Sequence, residues 1–76
     1  MPRSGRIQIW LEDPAPAVME AELVESSVIG FRAGHRSKDL VPGMEVGYQC
    51  DDSSGRARVI WTHVLENHRV SGFLLL

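Results

Sequence analysis

Ala17-Val18-Met19-Glu20-Ala21-Glu22-Leu23-Val24-Glu25 is the stretch on which the fold turns. Alanine, methionine, leucine and glutamate are good helix formers, so propensity alone favours a helix. Taken with period two, the same residues put Ala17, Met19, Ala21 and Leu23 on one face and Val18, Glu20, Glu22 and Val24 on the other. The residues that follow, Ser26-Ser27-Val28-Ile29-Gly30, mix hydroxyls and a glycine between apolar runs and turn the chain back within a few positions. A short isolated helix is marginal without a face to pack on, so the stretch is assigned as a strand.

Upstream, residues 1–5 form a short polar arm, and Arg6 to Leu11 alternates with Ile7, Ile9 and Leu11 on one side and Arg6, Gln8 and Trp10 on the other. Pro14 and Pro16 end that strand, each restricting the residue before it. Downstream, Val28 to Ala33 is a strand with Ile29, Phe31 and Ala33 together. Gly34 to Pro42 is a polar, basic connection in which His35, Arg36 and Lys38 are expected to be solvated, with at most one helical turn at Ser37 to Leu40. Pro42-Gly43 makes a tight turn. Met44 to Cys50 alternates again, and Asp51 to Gly55 has hairpin-loop chemistry with Gly55 free to take positive φ. Arg56 to Leu65 is the clearest strand, with Ala57, Val59, Trp61, His63 and Leu65 on one face and Arg56, Arg58 and Thr62 on the other. Arg69 to Leu76 closes the chain.

About six short strands joined by tight turns predict an all-β fold, a small antiparallel barrel in one domain over residues 1–76. Closure matters because an open sheet this small leaves two unpaired edges. A net charge of −2 brings no general attraction to nucleic acid or anionic membrane, so an anion site has to be local and built from a few arginines. The single cysteine, Cys50, excludes an intrachain disulfide and fits a reducing cytoplasm. Neither a signal peptide nor a membrane-spanning segment is legible.

Several short motifs, in order, carry a family resemblance. Ser27 and Gly30 lie three apart ahead of Phe31, with Glu25 where Asp or Asn is usual. Leu40-Val41-Pro42-Gly43-Met44-Glu45-Val46 is followed by Arg56-Ala57-Arg58-Val59-Ile60-Trp61, and then by Ser71-Gly72-Phe73. Together these resemble the PilZ family, the bacterial cyclic-di-GMP effector domains, over roughly residues 5 to 76. The resemblance implies a six-stranded barrel, a cytoplasmic bacterial setting and a regulatory binding module without enzymatic activity. It also implies a cyclic-di-GMP site at Arg3, Arg6, Glu25, Ser27 and Gly30. In the family an Arg-x-x-x-Arg pair ahead of the first strand grips the dinucleotide; here two residues separate Arg3 from Arg6. Arginine suits the task because its planar, permanently charged fork both stacks on guanine and bonds guanine edges and phosphates.

Two alternatives stand beside this reading. One is a nucleotide-independent module that binds a protein partner or a second copy of itself. Alternation along Phe73-Leu74-Leu75-Leu76 buries Leu74 and Leu76 and leaves Phe73 and Leu75 outside with Trp10, which would make an apolar interaction surface. The other is a small nucleic-acid-binding barrel using Arg32, Arg36, Arg56 and Arg58, against which stand the few aromatic residues and the acidic balance. Catalytic readings are weaker. His35, His63, His68 and Cys50 lack metal-pair spacing, and Ser26 and Ser27 lack a nucleophile elbow.

Overall fold

The computed structural model describes residues 5–12, 15–50 and 53–76, which form a closed barrel of six antiparallel strands. In chain order these are β1 (Gly5–Leu11), β2 (Ala17–Ser26), β3 (Gly30–His35), β4 (Glu45–Cys50), β5 (Ser53–Val64) and β6 (Arg69–Leu75). Around the barrel the order is β1-β2-β3-β6-β5-β4, and β4 pairs back onto β1. No described residue is helical, and the connection between β3 and β4 runs as bends and a turn. The helix-forming residues of β2 are held extended because β1 and β3 bond to both of its edges while Ala21 and Leu23 enter the core. Tertiary burial overrides a propensity preference that is only tenths of a kcal/mol per residue, roughly 0 to 0.7.

The β1–β2 register sets Ile7 opposite Ala21 and Ile9 opposite Met19, so the two alternations bury the same side. With Leu11, Leu23, Phe31, Ala33, Leu40, Val46, Ala57, Val59 and Phe73 they fill the barrel. Pro42-Gly43 turns as its sequence predicts: Met44 N–H donates to the Val41 carbonyl at 3.1 Å, and Gly43 takes a φ of 95°.

Four expectations about facing and extent are corrected. A bulge between Val59 and Trp61 adds one residue to β5, which reverses the parity of everything beyond it. Trp61 therefore lies outside over Gly72, with the His63 ring 4.7 Å away on the same face, and Leu65 is exposed, while Thr62 turns toward the interior. In β6 the phase is opposite to that predicted. Phe73 is only 4% exposed and Leu75 packs against the core, whereas Leu74 and Leu76 face out. Apolar residues occupy both parities of this strand, so its phase is set by its neighbours: Phe73 sits opposite Phe31 of β3 and Val59 of β5, both buried.

The third correction is that β3 starts at Gly30 rather than Val28, and runs on to His35, which is buried instead of solvated. Val28 and Ile29 project from the turn, exposed to 94% and 67%. The fourth concerns Gly55, which is paired with Tyr48 within β5 rather than free in a loop; the tip at residues 51–52 lies outside the described residues.

Two tryptophans pack on glycines across the strand pairs. The Trp10 ring occupies the place of a side chain at Gly47, and the Trp61 ring does the same at Gly72. Gly30 is different: a Cβ there would run into the Phe73 carbonyl and lie 3.4 Å from the Leu74 Cα, backbone atoms that cannot swing away.

Candidate functional site

The β2–β3 corner is built by local hydrogen bonds. Ser27 N–H donates to the Gly30 carbonyl at 2.8 Å, and Ile29 N–H donates to Ser27 Oγ at 3.3 Å, so the Ser27 hydroxyl shapes the turn that presents Val28 and Ile29. A bulge between Leu23 and Glu25 then sets Glu25 opposite Arg32, and the two side chains form an exposed ion pair. Glu25, Ser27, Gly30 and Arg32 line a shallow concavity of about 360 Å³ whose other walls include Ile29, Ile60, Trp61 and Leu74. It has polar groups at one end and apolar walls at the other.

Of the residues assigned from sequence to the dinucleotide site, Glu25, Ser27 and Gly30 are brought together here. Arg3 lies outside the described residues. Arg6 stands apart: it projects from β1 opposite Glu22 and pairs with Glu20 at 3.2 Å, in a separate hollow of about 470 Å³ that shares no lining residue with the corner. Gly5, the first residue of β1, is opposite Leu23, two residues before Glu25 along β2. Arg32, assigned from sequence only to a basic patch, is the guanidinium that lines the corner. Its alternation with Phe31 and Ala33 puts it on the outer face, but its place opposite Glu25 depends on the bulge after Leu23.

The surface envisaged at Trp10, Phe73 and Leu75 does not form in that shape, because Phe73 and Leu75 turn inward and Trp10 is half-buried on Gly47. Three exposed apolar residues, Ile29, Ile60 and Leu74, instead line the corner concavity, with Val28 in the adjoining turn. The basic residues of β5 are matched by acids, with Arg58 3.0 Å from Glu45 and Arg56 3.6 Å from Glu12. That pairing leaves little free positive charge on this face. Among the described residues no three of His, Cys, Asp and Glu stand together as a metal site.

A second polar group centres on the buried His35, whose inward step from Phe31 and Ala33 is obscured in the sequence by the polar run that follows it. His35 Nε2 is 2.7 Å from Ser71 Oγ, Ser71 Oγ is 2.8 Å from Thr62 Oγ1, and Ser37 N–H donates to His35 Nδ1 at 3.1 Å. Ser71 has no exposed surface, so this serine–histidine contact cannot meet a substrate. Burial lowers the His35 pKa below 6.5, and the positive charges of Arg69 and His68 push it the same way. The unfolded chain therefore takes up a proton in the interval between that lowered value and 6.5 which the barrel does not. Stability from this group is complete above the unfolded value and falls as pH drops through that interval. Urea midpoints measured at about pH 7.5, 6.5 and 5.5 are expected to decline in that order, with a shallower decline in His35→Asn.

No family model, no curated protein and no solved structure matches this chain.

Proposed function

We propose that this chain is a PilZ-like regulatory module that binds cyclic-di-GMP at the β2–β3 corner. The observation that supports this most is the corner itself, where Glu25, Ser27, Gly30 and Arg32 line one concavity. In this reading the Glu25 carboxylate accepts from a guanine edge and the Ser27 hydroxyl bonds the ligand. Arg32 meets the phosphates, since a guanidinium fork bonds phosphate oxygens in pairs. Ligand entry has to rearrange the Glu25–Arg32 pair. Exposed ion pairs contribute only about 0–1 kcal/mol, so that rearrangement is a small barrier.

Calorimetric titration of the intact chain with cyclic-di-GMP tests the proposal. Saturable binding is expected, weakened about tenfold or more by Arg32→Ala, as loss of a charge-assisted bond implies. Silence at high ligand concentration would leave the second reading, a nucleotide-independent interaction module. That alternative is favoured by the exposed cluster of Val28, Ile29, Ile60 and Leu74 at the same corner. Light scattering showing concentration-dependent association that Ile29→Ser abolishes would support it.

A further inference from the structure

Ser37 and Leu40 belong to the same connection between β3 and β4, and one hydrogen-bond chain through the barrel wall holds both. Its direction is fixed by its ends. A backbone amide can only donate, so His35 Nδ1 is an acceptor and carries no proton, which places the ring hydrogen on Nε2 and aims it at Ser71 Oγ. At the far end Thr62 Oγ1 donates to the Leu40 carbonyl at 3.4 Å, which spends its only hydrogen. Thr62 must then accept from Ser71. The order runs Ser37 N–H to His35, His35 to Ser71, Ser71 to Thr62 and Thr62 to Leu40, crossing β3, β6 and β5 and returning to the connection it left.

We propose that this circuit is a proton-operated clamp on residues 36–41: a proton taken from solvent onto His35 Nδ1 releases Ser37 while Leu40 stays tied. An imidazolium donates from both nitrogens, so the Ser37 amide loses its acceptor and faces another N–H. The links from Nε2 through Ser71 and Thr62 keep their direction and survive. The surroundings of His35 are charged on several sides. Burial, Arg69 of β6 and His68 of the β5–β6 turn resist the proton, while the charged groups Arg36, Glu20 and Glu22 line the same groove of about 710 Å³. Ser37 lines that groove too, so its release changes a groove wall as well as the connection.

Nuclear magnetic resonance of the intact chain, titrated from about pH 7.5 to 5, reads the clamp directly. The Ser37 amide is expected to shift upfield and to lose about tenfold in exchange protection, the scale of one lost hydrogen bond. Both changes should follow the His35 ring, with a midpoint below that of an ordinary histidine, while the Thr62 and Ser71 amides hold their protection. In His35→Asn, whose side-chain oxygen can accept from Ser37 and does not titrate, Ser37 should become insensitive to pH over the same interval. The proposal is overturned if the His35 ring titrates in the wild-type chain without any response at Ser37. It is equally overturned if protection falls together throughout the barrel at that midpoint.

Discussion

Phe73→Ala is expected to lower the unfolding free energy by about 3–5 kcal/mol, the range found when a buried aromatic is truncated. The Phe73 ring stacks on Phe31 with centroids 4.6 Å apart and planes 14° apart, and its strand partners on either side are Phe31 and Val59. A 76-residue chain has a total stability on the order of 4–11 kcal/mol, so this one side chain separates a folded barrel from one near its limit. Urea denaturation of Phe73→Ala beside Leu76→Ser checks it. The second change removes an exposed side chain and is expected to stay within about 0.5 kcal/mol. If Leu76→Ser proved the costlier, the facing of β6 described above would be reversed.

Gly30→Ala is expected to be the most damaging of the glycine substitutions, by about 1–3 kcal/mol or more, the cost of forcing a methyl into a packed site. The atoms it would meet belong to the backbone of β6, so β3 and β6 must move apart. Gly5→Ala is the control, since nothing lies within 4 Å of the added carbon. The comparison bears on function as well. Gly30 is required by the approach of two strands whether or not a ligand comes near it, so its presence does not by itself argue for a nucleotide; the corner's case rests on Glu25, Ser27 and Arg32. Circular dichroism melts of the two variants would separate them without any ligand.

What the sequence made legible was period: β1, β2 and β4 alternate cleanly, and Ile7, Ile9, Ala21, Leu23 and Val46 are buried where the pattern puts them. What it hid was phase. Nothing in Arg56 to Leu65 announces that Ile60 is the extra residue of a bulge, because the signal is the register of β6, far along the chain. In β6 itself the polar residues Arg69 and Ser71 share the parity of Phe73 and Leu75, so the contrast points the wrong face outward. His35 was obscured for a related reason. Following Phe31 and Ala33 by the same step of two places it inside, but the polar run Arg36-Ser37-Lys38-Asp39 makes the strand look finished earlier. At the corner, Ser27 and Gly30 were visible as a motif, whereas the ion pair of Glu25 with Arg32 depends on the bulge after Leu23.

The six strands are not joined equally. β1 faces β2 along its whole length from Gly5 to Leu11, yet among the described residues its ladder with β4 spans Gln8 to Trp10. That shorter join is expected to open before the others, which faster hydrogen exchange of the β1 and β4 amides facing it would show. Trp10 lies across it, its ring lodged on the bare backbone of Gly47. A residue without a side chain thus acts as the keeper of the latch.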